Sequence, residues 1–173
     1  MSLAGSRSLF CLVFLIGALA LWASFHLEYR VGLEPCLLWV LQRFFTLLLT
    51  SVSLVAVLHA PQYLASIGYW LLELLCSLGG VITAGRHVLL QNIPSDQLLA
   101  CLPDMPFMLG NLPWERALRL AFTGTAQCAE VTWTLLDMSA AEWSLLFFIG
   151  VLILSVYRLA LLLSRGRGRA AGA

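Results

Sequence analysis

Four apolar runs, each long enough to cross a bilayer, leave this chain few ways to fold. They cover residues 9–25, 44–60, 63–85 (interrupted by Glu73) and 143–163 (where Arg158 is the one charge). About 20 helical residues span a hydrocarbon core. In lipid the backbone must satisfy its own hydrogen bonds, so each run predicts a helix. The expected fold class is an all-α integral membrane protein, a four-transmembrane-helix bundle with helices over about 9–26, 44–60, 63–85 and 143–163, forming one domain over 1–173. Composition agrees: 61% of the 173 residues are apolar and 11% charged, against roughly 25% charge in soluble domains. That excludes a disordered chain, a nucleic-acid binder and an ordinary cytosolic enzyme.

The first run has a second reading. Arg7, an apolar core and small residues near Ala23 also describe a cleaved signal peptide. The run is long, Trp22 and Phe25 fall near the would-be cleavage point, and three further spans follow. A retained helix is the simpler reading.

Arginine placement sets the expected orientation. Arg165, Arg167 and Arg169 follow the last run with no acid, and Arg7 precedes the first. Both termini therefore read as cytoplasmic, with a short turn at His59, Ala60 and Pro61 on the same side. Two segments, about 27–43 and 86–142, read as periplasmic loops. The longer one contains Pro94, Pro103, Pro106 and Pro113, which break regular structure. Within it, 114–122 (WERALRLAF) places its apolar residues near one face and reads as an interfacial helix.

Five cysteines sort by this topology. Cys11 and Cys76 fall inside spans, where a thiol is a small packing residue. Cys36, Cys101 and Cys128 fall in the outer segments, which in a bacterium would face the oxidising periplasm. A bridge between Cys101 and Cys128 would be a static staple or an exchangeable disulfide, and the residues alone leave both open. Cys36 follows Pro35 where the first loop enters the second helix, so its thiol feels the positive end of the helix dipole, which favours thiolate. Arg43 lies two helical turns on, on the same face. That pair suits a small anion or a quinone carbonyl; the plainer reading of Arg43 is snorkelling to the head groups. The three histidines are dispersed, and no Cys/His cluster has the spacing of a metal site.

These residues carry a family resemblance. The stretch P-C-L-L-W-V-L-Q-R over 35–43 is similar to the P-C-x-x-C-x-x-[EQ]-R signature of DsbB, the disulfide bond formation protein B family. H-V-L-L-Q over 87–91 followed by Pro94, the pair Cys101 and Cys128 in the second loop, and Glu142-Trp143 at the start of the last helix also fit. The resemblance covers essentially the whole chain. It implies a multi-pass protein of the bacterial inner membrane that reoxidises a DsbA-like periplasmic thiol oxidase and passes electrons to the membrane quinone pool, ubiquinone or menaquinone. It further implies that Cys101–Cys128 is the disulfide attacked by DsbA, with Cys101 forming the mixed disulfide. Arg43 matches the family's quinone-site arginine, and His87 a polar contact nearby.

The chain departs from the pattern at Trp39, where the signature has its second Cys. The first-loop disulfide cannot form. Three outer thiols still balance a route, in which Cys36 thiolate adds to quinone, Cys128 displaces quinol from Cys36, and Cys101 restores the Cys101–Cys128 bridge. Trp39 would then flank the quinone ring. The alternative is a non-catalytic DsbB homologue that binds a DsbA-like partner or quinone. Glu73, mid-span, has no place in the family pattern. A carboxyl there demands a proton or a polar partner.

Overall fold

The structure, a computed structural model, describes residues 3–32, 36–94, 126–129 and 133–171, together with Pro113, Glu115, Arg119 and Val131. Its elements are α1 (Leu3–Val31), α2 (Leu37–His59), α3 (Tyr63–Gln91), the short α4 (Ala126–Ala129), β1 (Thr134–Leu135), β2 (Met138–Ser139) and α5 (Ala140–Ala171). Four stretches are long and apolar enough to cross a membrane: Ser6–Arg30, Leu37–His59, Tyr63–Gln91 and Ala140–Arg165. α1 packs on α2, α2 on α3, and α3 on α5.

The helices run past the expected bounds. α2 begins at Leu37 rather than near 44, and α3 continues to Gln91 rather than 85. The first outer segment contracts from about 27–43 to the few residues between Val31 and Leu37. The reason is side-chain pairing. Gln42, Arg43 and His87 look like the polar edges of spans, but Gln42 bonds His87 and Arg43 bonds Glu28 inside the bundle. A polar side chain with a partner is no reason for a helix to stop at the edge of the apolar run. The expected interfacial helix over 114–122 lies almost wholly outside the described residues; Glu115 and Arg119, which are described, are helical and exposed.

Local chemistry fixes the helix ends. Cys36 is the N-cap of α2, in extended backbone (φ −70°, ψ 162°), and its carbonyl accepts the first helical bond from Val40 N at 3.1 Å. Ala60, in left-handed backbone (φ 47°), ends α2, and Pro61 follows it. Ser139 and Glu142 form a reciprocal capping box at the start of α5, Ser139 N to Glu142 Oε2 at 2.6 Å and Glu142 N to Ser139 Oγ at 3.2 Å. The β1–β2 hairpin turns through Leu136 and Asp137, both at positive φ (54° and 61°), which matches the twist of a two-residue hairpin. Trp143 Nε1 donates to Leu135 O at 3.1 Å, tying the hairpin to α5.

The bundle interior mixes polar residues with apolar clusters, and the outside is apolar. The buried face of α2 carries Gln42, Thr46, Thr50 and Ser53; that of α3 carries Ser66, Glu73, Ser77, Thr83 and His87. Leu58, Leu64, Leu75 and Ile153 point outward. Lipid solvates leucine as well as a core does, so helix association rests on close packing and hydrogen bonds. Small residues permit the approach. A Cβ at Gly17 would meet Thr50, one at Gly79 would meet Phe45, and one at Gly80 would meet Phe148. One at Gly85 would meet nothing within 4 Å. α1 is part of this interior: Phe10 stacks on Trp70 with ring centroids 4.3 Å apart.

Candidate functional site

Three elements meet at the end of the bundle where α2 begins. Cys36 caps α2, His87 sits in the last turns of α3, and Cys128 is presented by α4. With Leu38 and Leu90 the two cysteines form one buried cluster, flanked by Trp39, Leu41 and Ile93; Cys36 is 8% exposed and Cys128 2%. The Cys36 and Cys128 side chains thus share one apolar enclosure. His87 Nε2 lies 3.7 Å from Cys36 Sγ, and the imidazole also meets the backbone of Cys128. Gln42 Nε2 donates to His87 Nδ1 at 2.9 Å, which fixes the tautomer that carries its proton on Nε2, facing the sulfur.

The electrostatics of Cys36 differ from the expected helix-dipole effect. The amides of Leu38 and Trp39 favour the thiolate, as anticipated, but they are outweighed. The Cys128 side chain and then burial push the Cys36 thiol well above its ordinary range. Two adjacent sulfurs in an apolar enclosure cannot both carry charge, so Cys36 holds its proton.

Beside this cluster the packing of α1 against α5 opens into a cavity of about 450 Å³. Leu19, Ala20, Ala23, Ser24 and Leu27 of α1, Trp39, Gln42, Arg43 and Thr46 of α2, Trp133 and Leu135 of the hairpin segment, and Trp143 and Phe147 of α5 line it. A mostly apolar wall with a few convergent polar groups is the form of a small-molecule site. Gln42 is 2% exposed, and its Oε1 has no hydrogen-bond partner. A buried orphan acceptor costs about 1–3 kcal/mol, so this oxygen is suited to a hydroxyl donated from the cavity.

Arg43 is held rather than snorkelling. Its Nε donates to Ser24 Oγ at 2.6 Å and its Nη2 to Ser24 O at 2.8 Å, while Nη1 pairs with Glu28. The rings of Phe25 and Trp39 flank the guanidinium, each centroid 4.8 Å from Cζ. Each such contact contributes about 0.5–2 kcal/mol. The result is a fixed cation in the cavity wall.

The residues singled out from the sequence thus divide. Cys36, Cys128 and His87 come together in the buried cluster. Arg43 and Trp39 line the cavity. Cys36 does not line it; Trp39, one turn on, is the wall there. Cys101 lies outside the described residues. Sequence reasoning gave no role to Glu28, Ser24 or Trp133, and met Trp143 only within the family resemblance. Glu28 had a signal, being the one acid near the end of α1 with Arg43 across a short loop; the hairpin residues had none, because their approach depends on the fold.

Comparison with known proteins points one way. The profile of the family described as Disulfide bond formation protein DsbB matches residues 6–158. Disulfide bond formation protein B 2 of Pseudomonas fluorescens strain Pf-5 is 64% identical over 159 residues, 92% of either chain. Disulfide bond formation protein B of Stutzerimonas stutzeri is 42% identical over 92% of this chain and 98% of its own. Disulfide bond formation protein B 1 of Pseudomonas aeruginosa strain PAO1 is 43% identical over 90% of this chain and 96% of its own.

Proposed function

The chain belongs to the DsbB family, which makes it a disulfide oxidoreductase of the bacterial inner membrane with several spans, and we propose that it reoxidises a DsbA-type periplasmic dithiol protein with membrane quinone as the acceptor. Both termini face the cytoplasm in this reading, as Arg7, Arg165, Arg167 and Arg169 favour, and the chain forms a single membrane domain. The relatives favour turnover over the non-catalytic alternative.

The single observation that carries the route is the contact between Cys36 and Cys128. The partner's thiolate attacks Cys101 of a Cys101–Cys128 disulfide. Cys128 leaves as the thiolate, and the partner is held on Cys101. The released Cys128 sulfur then has Cys36 as its neighbour, with the His87 Nε2 proton at hand to keep one sulfur neutral. Pairing of Cys36 with Cys128 as a disulfide gives up two electrons and two protons, which quinone would accept; the partner's second thiol frees Cys101, and Cys101 displaces Cys36 to restore the Cys101–Cys128 bridge.

The cavity fits a quinone head group on three grounds: its size, its apolar wall, and the orphan Gln42 Oε1 beside the fixed Arg43 cation. When bound, quinone supplies a two-electron, two-proton acceptor. Gln42 accepts a hydroxyl from the reduced ring, Arg43 favours negative charge developing on an oxygen, and Trp39 provides a flat face where the family signature has a thiol. Cys36 faces away from the cavity, so the absent second Cys leaves Trp39 between the sulfur pair and the acceptor.

The test is quinone reduction by reduced DsbA with purified protein, beside a Cys36→Ser variant. Activity that is lost in the variant is the expected result. No activity in the unmodified protein overturns the quinone reading; equal activity in both overturns the role of Cys36.

A further inference from the structure

Glu73 is fully buried near the middle of α3. Ser53 of α2 donates to its Oε1, and its Oε2 has no hydrogen-bond partner. A bare carboxylate at this depth is costly, whereas a protonated carboxyl with one hydroxyl partner is tolerated. Nothing in the thiol chemistry uses this residue.

Its surroundings are organised along α2. Ser53, Thr50, Thr46 and Gln42 are all buried on one face of that helix, each one turn from the next. Thr50 Oγ1 donates to Thr46 O at 2.7 Å, and Thr46 Oγ1 to Gln42 O at 2.8 Å. Thr46 and Gln42 are in the wall of the 450 Å³ cavity. The Ser53, Thr50 and Thr46 hydroxyls therefore stand at one-turn intervals between the Glu73 carboxyl and that cavity, Thr50 and Thr46 each donating to a backbone carbonyl of α2. On the other side a second cavity of about 550 Å³ opens at the far end of the bundle, lined by Ser6, Arg7, Cys11 and Gln62 among others. Trp70, one turn below Glu73, donates from Nε1 to Ser6 Oγ at 3.2 Å. It stands between that cavity and the level of Glu73.

The charged and titratable groups near Glu73 are few. From its own helix Cys76 feels its field. α2 offers Ser53. From α5, Arg158 lies a turn further out with its guanidinium 5.9 Å from the Trp70 ring centroid. α1 offers the Ser6 hydroxyl. Glu73 Oε1 has Ser53 as its partner and Oε2 has none, so no cation is bonded to the carboxyl.

We propose that Glu73 is an internal proton donor to the acceptor cavity, reloaded from the face of the membrane opposite the thiols; this rests on the quinone reading above. A quinone leaving as neutral quinol takes up two electrons and two protons. The electron pair comes from the dithiol, which becomes a disulfide and releases its two protons on the thiol side. One quinol O–H bond forms with a proton that leaves the Glu73 carboxyl along the Ser53, Thr50 and Thr46 face of α2, carried between these hydroxyls by water, and the other forms with a proton from water on the thiol side. The carboxylate then takes a proton from water entering by the second cavity.

Two experiments decide it. In quinone-free protein, infrared spectra should show a protonated-carboxyl band that is missing in Glu73→Gln and shifts on transfer to D2O. A band that never exchanges, or no such band, overturns the proposal. In proteoliposomes with reduced DsbA outside and a short-chain ubiquinone, the lumen should become alkaline as quinone is reduced. Glu73→Gln, which keeps a partner for Ser53, should abolish the lumenal change and slow reduction several-fold, and Thr50→Val should do the same. Quinone reduction by the unmodified protein with no lumenal change, or variants that match it, overturns the proposal and leaves the quinone reading standing. No quinone reduction by the unmodified protein overturns that reading and this proposal with it.

Discussion

Cys36, capping the second helix, packs in one buried cluster with Cys128, presented by a separate short helix far along the chain. Leu38 and Leu90 enclose the pair, and His87 faces Cys36 at 3.7 Å. Two thiols brought together from distant loops are poised for exchange in a way that neither is alone.

The first prediction concerns acidity. The Cys128 side chain and burial hold the Cys36 proton, so Cys36 should resist alkylation at neutral pH in folded protein and react only in strongly alkaline solution. Cys128→Ala removes the leading cause and should speed alkylation several-fold, read by mass spectrometry. The sign for stability follows. The unfolded thiol ionises near 8.5 while the folded one does not, so the unfolded state binds fewer protons above that pH and stability falls as pH rises through the alkaline range.

His87→Leu removes the acceptor of the Gln42 amide and the Nε2–H beside Cys36. It leaves a buried amide donor unpaired, which costs about 1–3 kcal/mol. Thermal unfolding in detergent should shift downward by a corresponding amount. A variant as stable as the unmodified protein would show that the Gln42–His87 bond contributes nothing.

Glu28→Gln releases one arm of the Arg43 clamp while Ser24 still holds the other two donors. The two side chains are 11% and 24% exposed, and an ion pair with access to solvent is worth about 1 kcal/mol. The expected outcome is a several-fold rise in KM for quinone with the rate of thiol exchange unchanged. Loss of thiol exchange instead would place Arg43 in the wrong half of the reaction.

Gly80→Ala drives a methyl into the Phe148 ring, whereas Gly85→Ala meets open space. Overpacking of this kind costs about 1–3 kcal/mol. The first variant should unfold at lower temperature in detergent and the second should not.

The four spans were legible because a bilayer leaves no other reading for runs this long. Their ends were not. Gln42, Arg43 and His87 have the composition of loop residues, and only their mutual and cross-helix partners show that the helices continue through them. Cys36 and Arg43 could be picked out from local spacing, and His87 from the family resemblance. That Cys36 turns toward Cys128 while Trp39 faces the cavity could not, because it depends on how α4 and the hairpin settle on the helix ends. The partner of Glu73 was expected as a type, and the fold supplies it as Ser53.

The most direct measurement of the central claim is the disulfide state of a Cys101→Ser variant in membranes, treated with a mild oxidant and mapped by differential alkylation and mass spectrometry. A Cys36–Cys128 disulfide should form readily and disappear on reduction. Cys36 and Cys128 both remaining alkylatable as thiols after oxidation would contradict the proposed relay.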